Sequence, residues 1–165
     1  MRNLLILLVA ALSLACNNDD DGQNASPADR LQFTLPANSG GCSNFQLYLY
    51  SDDRTHGLQL LGDSLQLGLT TDWQTYALSA PSLSLTLFRF REPLTTYFCD
   101  DVVEANEDPV QTWDAQEGTI QLKIDQGGNV PGVYTIDVVL ENVLVNGQRL
   151  DRIARNGIEV GRTPG

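Results

Sequence analysis

Leu83-Ser84-Leu85-Thr86-Leu87-Phe88-Arg89-Phe90-Arg91 alternates apolar and polar side chains at a period of two, and its apolar phase slips by one residue at Leu87-Phe88. A period of two puts successive side chains on opposite faces of an extended chain; an amphipathic helix would repeat at 3.6. The slip predicts a β-bulge near Leu87, where one extra residue resets the face. The same alternation recurs in Leu31, Phe33 and Leu35, and in Phe45, Leu47 and Leu49 set against Gln46, Tyr48 and Tyr50. It returns in Leu65, Leu67 and Leu69, in Ile120, Leu122 and Ile124, and in Tyr134, Ile136, Val138 and Leu140. Asn146-Gly147 stands between Val143-Leu144-Val145 and Gln148-Arg149-Leu150, a tight-hairpin signal, because both turn residues accept positive φ. A last strand is expected over 158–160. Eight or nine short strands predict an all-β domain, an antiparallel β-sandwich with a barrel as the alternative. The only helical window is 102–106, one or two turns. The longest break in the pattern, 100–117, is acidic and follows Cys99 directly, so it is the first loop to search for a site.

The chain has 165 residues, with 21 Asp and Glu against 10 Lys and Arg, a formal charge of −11. So negative a surface argues against nucleic acid and against anionic lipid head groups as partners.

At the N-terminus, Met1-Arg2-Asn3 precedes an apolar stretch over 4–14 that ends in Leu12-Ser13-Leu14-Ala15-Cys16. This resembles the signal peptide of a bacterial lipoprotein, which is cut before the cysteine that then carries the lipid. The family usually has Leu, Val or Ile three residues before the cysteine; here Ser13 stands there, with Leu12 one step earlier. A membrane span would need roughly 20 apolar residues, more than this stretch offers. The resemblance implies residues 1–15 as signal peptide, Cys16 as the lipidation site, and a chain held to the membrane through its N-terminal lipid. Residues 16–29, with Asp19-Asp20-Asp21, read as a disordered acidic tether that reaches about 20 Å on average. Residues 30–165 read as the folded domain. An acidic cluster just after the cysteine resembles the surface-export signal of one group of Gram-negative lipoproteins, which implies the outer membrane or the cell surface.

With Cys16 carrying lipid, Cys42 and Cys99 remain as a pair in an oxidising compartment, and one disulfide is expected. Closing that loop would stabilise the fold by about 4 kcal/mol in the chain-entropy model. The domain is also similar to secreted bacterial lipoprotein domains of uncharacterised function. The likeness lies in Gly41-Cys42-Ser43-Asn44-Phe45, in Tyr97-Phe98-Cys99-Asp100-Asp101-Val102, and in Trp113 followed by Gly118-Thr119. It implies a β-sandwich with the two cysteines joined, and no activity.

Four sets of residues are candidate sites. Gly62-Asp63-Ser64-Leu65 matches the nucleophile block of the GDSL hydrolases, and Asp53-Arg54-Thr55-His56 has the spacing of their catalytic dyad. In that family the dyad follows the serine near the C-terminus of an α/β fold, whereas here it precedes it, and a hairpin turn explains the same residues. Asp100, Asp101 and Glu104, with Glu107, Asp108, Asp52 and Asp53, could supply the oxygens calcium takes, although the spacing of a dedicated calcium loop is absent. No other cofactor is expected. Trp73, Tyr76, Tyr97 and Trp113 form an aromatic set that could stack on sugar rings, joined by Tyr48 and Tyr50. Arg89 and Arg91 read as an exposed strand face. The expected function is a lipid-anchored, non-catalytic binding or scaffolding module of the cell envelope, with a glycan or a protein as partner. A glycan-binding lipoprotein and a GDSL-like ester hydrolase are the alternatives.

Overall fold

The computed structural model describes residues 31–43, 45–63, 67–100, 107–125 and 133–161. Residues 31–165 form a compact unit of their own. Among the described residues, nine strands run in chain order: β1 Ser39–Cys42, β2 Gln46–Tyr50, β3 His56–Gly62, β4 Gln74–Ala77, β5 Leu83–Arg89, β6 Gln111–Asp125, β7 Val133–Val145, β8 Gln148–Arg149 and β9 Ile153–Gly161. Hydrogen bonding links β6-β5-β3-β2-β1-β9-β7, and β7 pairs back onto β6, so seven strands close a ring. The expected all-β class therefore takes its barrel form. Seven is odd, so up-and-down alternation cannot be completed around the ring and at least one pair of neighbours must be parallel. That pair is β1 with β9, joining the first strand to the last. β4 extends the β5 side of β6 by pairing with residues 119–122, and β8 closes a hairpin on the end of β7.

Alternation fills the ring. Leu47 and Leu49 of β2, Leu58 and Leu60 of β3, and Leu83, Leu85 and Leu87 of β5 point into one core with Ile120 and Leu122 of β6. Ile136, Val138, Leu140, Val143 and Val145 of β7 and Ile153, Ile158 and Val160 of β9 complete it. Asn146 and Gly147 both have positive φ, as the tight turn requires.

The bulge expected near Leu87 is absent: β5 pairs with β3 over its whole length without a register shift. The apolar phase slips because the outer face of the barrel carries a second core. Tyr50, Phe90 and Phe98 are buried there, with Tyr48, Phe88, Leu94 and Tyr97 packed around them. Register shifts lie instead in β6, between Ala115 and Thr119 where Gly118 has positive φ, and between Ile136 and Val138 where β7 meets β9.

Other expectations are corrected as well. Residues 31–35 are not a strand, although Phe33 is buried in the barrel core. The Asp52 carboxylate accepts the N–H groups of Thr34 at 2.7 Å and Leu35 at 3.0 Å and the Thr34 hydroxyl, which replaces the ladder a strand would need. Residues 67–70 are likewise no strand; Leu67 sits in a single turn whose N–H reaches the Asp63 carbonyl at 2.9 Å. The loop expected over 100–117 is shorter, because β6 begins at Gln111, paired with Arg89. The helical window at 102–106 lies outside the described residues.

Candidate functional site

The segment that follows β5 crosses the outer face of β3 and β2 as a strap. Its end is fixed by the expected disulfide, Cys42 to Cys99, with Cα atoms 5.9 Å apart. Phe98 is the strap's anchor. Its ring lies 5.4 Å from Tyr48, 5.2 Å from Tyr50 and 5.3 Å from Phe88, and its N–H donates to the Tyr50 hydroxyl at 3.2 Å. Gly57 makes the slot: a Cβ there would stand 2.6 Å from the Phe98 ring. Burial pushes the Tyr50 phenol up to about 12, against the lowering effect of the backbone groups of Phe98 and Tyr97. Tyr48, Tyr50 and Tyr97 are therefore wall and lid of a core: the rings of Tyr48 and Tyr50 meet at 5.7 Å, and that of Tyr97 packs on Phe88, Phe90 and Phe98.

Tyr76 and Trp113 are also drawn inward, half-buried against the barrel core. The Tyr76 hydroxyl meets the Leu67 carbonyl at 2.9 Å and the Gln74 side chain, so its polar end has partners within the fold. Trp73 differs. It keeps 46% of its surface exposed, just before β4.

The register places Trp73 on an outer strip of the sheet. Gln74 pairs with Leu122, so the preceding residue, Trp73, comes level with Lys123, whose Nζ lies 5.2 Å from the indole centroid. Lys123 pairs with Asp137 of β7, and their charged groups meet at 3.0 Å. The other oxygen of Asp137 accepts the Gly157 N–H at 2.7 Å. The next outward row is Thr75, Gln121, Val139 and Ala154, and the row beyond it brings Thr119 against Glu141. There the Glu141 carboxylate accepts from Arg152 Nε at 2.8 Å, at the rim of a depression of about 500 Å³ formed by Glu141, Asn142, Arg149, Leu150, Asp151 and Arg152. Lys123, Gln121 and Asp137 escape sequence reasoning because only strand register brings them beside Trp73.

His56 opens β3 and Gly62 closes it, a separation of about 20 Å along an extended strand. Between β2 and β3 the Asp53 carboxylate accepts from Ser51 Oγ at 2.6 Å, Thr55 N at 3.0 Å and Thr55 Oγ1 at 2.8 Å. Burial would raise its pKa, but these donors outweigh it and hold the carboxyl below its ordinary range. The Thr55 hydroxyl has one hydrogen, given to Asp53, so at 3.0 Å from His56 Nδ1 it accepts, and the imidazole carries its proton on Nδ1. Burial, with Arg89 as a smaller contributor, lowers the His56 pKa against the pull of Asp53. Ser64 lies outside the described residues.

Of the acidic set, Asp101 and Glu104 lie outside the described residues. Asp100 is exposed beside the disulfide. Asp52 and Asp53 are engaged in turn and loop hydrogen bonds. Among the described residues no three His, Cys, Asp or Glu side chains are grouped to hold a metal ion. Arg89 is exposed, with Nη1 donating to Gln111 across the β5–β6 ladder at 3.2 Å, and Arg91 is exposed. Cys16 lies outside the described residues. Comparisons of the chain with protein-family models, with curated proteins and with solved structures find no match.

Proposed function

We propose that the chain is a lipid-anchored lipoprotein of the bacterial cell envelope, held at the outer membrane or cell surface through Cys16, whose barrel is a non-catalytic binding or scaffolding module. The disulfide between Cys42 and Cys99 carries the reading: such bonds persist in oxidising compartments, the destination implied by the segment ending at Cys16. The non-catalytic part is supported by the chain's single histidine, whose Nδ1 is engaged by the Thr55 hydroxyl in a turn that also absorbs Asp53. A general base needs a nucleophile within hydrogen-bond reach, and Gly62, which begins the GDSL-like block, stands at the far end of β3 from His56.

The test is metabolic labelling with palmitate in a bacterial host, together with assay of the purified chain on an aryl acetate. Wild type takes up label, Cys16→Ala takes up none, and neither hydrolyses the ester beyond background. Label in Cys16→Ala would overturn the anchoring, and hydrolysis abolished by both Ser64→Ala and His56→Ala would overturn the non-catalytic reading.

A further inference from the structure

We infer that the outer strip running from Trp73 to the Glu141 depression binds a neutral oligosaccharide of two or three sugar rings. This deepens the binding-module reading and rests on it. The apolar C–H face of a pyranose stacks on an indole, and its hydroxyls need donors and acceptors at the rim of that contact. Trp73 supplies the platform: nearly half of the residue's surface is exposed, and the ammonium of Lys123 lies over the ring. Around it stand Lys123, with donors beyond the one directed at Asp137, the Asp137 carboxylate, the Gln121 amide and the Thr75 hydroxyl.

The strip has length as well as chemistry. Asp137 and Glu141 share the outer side of β7, four residues and about 13 Å apart, room for two or three pyranoses in a line. Val139 between them is buried, and the depression beside Arg152 forms the far end. Because the surface is a continuous β6–β7 ladder, little ordering entropy is lost when a ligand settles on it.

Charge selects the kind of sugar. The ammonium of Lys123 meets Asp137 and the guanidinium of Arg152 meets Glu141, so the strip offers polar groups whose charges are already compensated. The chain as a whole carries −11, which repels polyanionic glycans. A neutral polyol fits both facts.

The experiment uses the full chain purified in detergent, with Trp113→Phe as background so that Trp73 is the only indole. Neutral gluco-, manno- and galacto-configured trisaccharides are titrated while indole fluorescence is followed, and binding is checked by calorimetry. At least one should shift the emission and bind; by calorimetry, Trp73→Ala should weaken it at least tenfold and Gln121→Ala several-fold, with melting temperatures unchanged. Val110→Ala, an exposed apolar residue beside Arg89 at the opposite end of β6 from Lys123, should bind as the parent does. If no trisaccharide binds, if Trp73→Ala binds as well as the parent, or if only a lysine-rich peptide binds, the inference is overturned. Palmitate labelling and the ester assay would be unaffected, so failure here is distinct from failure of the anchored-module reading.

Discussion

His56 shows how one side chain reports on its surroundings. Its pKa is lowered from the ordinary 6.5, chiefly by burial, so the folded protein prefers the neutral imidazole. Below pH 6.5 the unfolded chain takes up a proton before the folded one does, and stability present above that pH is lost as pH falls through the folded value. The chain has one histidine, so its imidazole resonance can be followed alone by NMR. It should titrate below 6.5, and the urea midpoint should decline from about pH 6.5 downward, a slope that His56→Gln removes. Titration at or above 6.5 would contradict the buried setting. Asp52 and Asp53 are held below the ordinary 3.8 by their hydrogen bonds despite burial, so a second loss sets in as pH falls below that value. The sequence presents these carboxylates as calcium oxygens or part of a dyad. Their backbone partners, Thr34, Leu35 and Thr55, could not be read there, because side chain to backbone bonds depend on how the chain turns.

The strap after β5 is an element without regular secondary structure, held by aromatic packing and one covalent bond. Replacing Cys42 and Cys99 together by serine should cost about 4 kcal/mol in the chain-entropy model, the loop spanning 57 positions. The loss should be uneven. Hydrogen exchange in the segment around Tyr97 and Phe98 should accelerate far more than in β6 or β7, since the barrel core lies on the other side of the sheet. Gly57→Ala should loosen the same segment with the disulfide intact, at about 1–3 kcal/mol, because a methyl group would enter the space of the Phe98 ring. Uniform acceleration across all strands in either variant would mean that strap and barrel are one cooperative unit.

For the molecule as a whole, closure is the governing fact. Each ring strand has a partner on both sides, and β1, the glycine-rich strand between β2 and β9, completes the circle. Leu122 is fully buried on β6, the strand that pairs with β4, β5 and β7. Leu122→Ala should therefore lower global stability by about 2–5 kcal/mol, with protection falling together in the barrel strands, as measured by urea unfolding and hydrogen exchange. A loss confined to β6 would show that the ring does not unfold as one.

Residue order along the chain determined the class of the fold. The period of two in Phe45 to Leu49, Leu83 to Leu87, Ile120 to Ile124 and Tyr134 to Leu140 is a local property of an extended chain with one face in a core, and Asn146-Gly147 carried its own turn. The two spare cysteines named their bond. Sequence alone did not locate β1, β3 or β4: Ser-Gly-Gly-Cys and Gln-Thr-Tyr-Ala lack the apolar alternation, and β3, with glycine near both ends, has only Leu58 and Leu60 to carry it, so all three are strands through the neighbours that pair with them. Nor could the sequence tell a bulge at Leu87 from a second core, since both produce the same slip of phase and differ only in what covers the outer face. The candidate site divides in the same way. Trp73 was legible as an aromatic, but that it is the most open of Trp73, Tyr76, Tyr97 and Trp113, the others being half-buried, was decided by tertiary structure. Which side of a sheet an indole occupies, and which polar groups stand beside it, depends on register between strands distant in sequence.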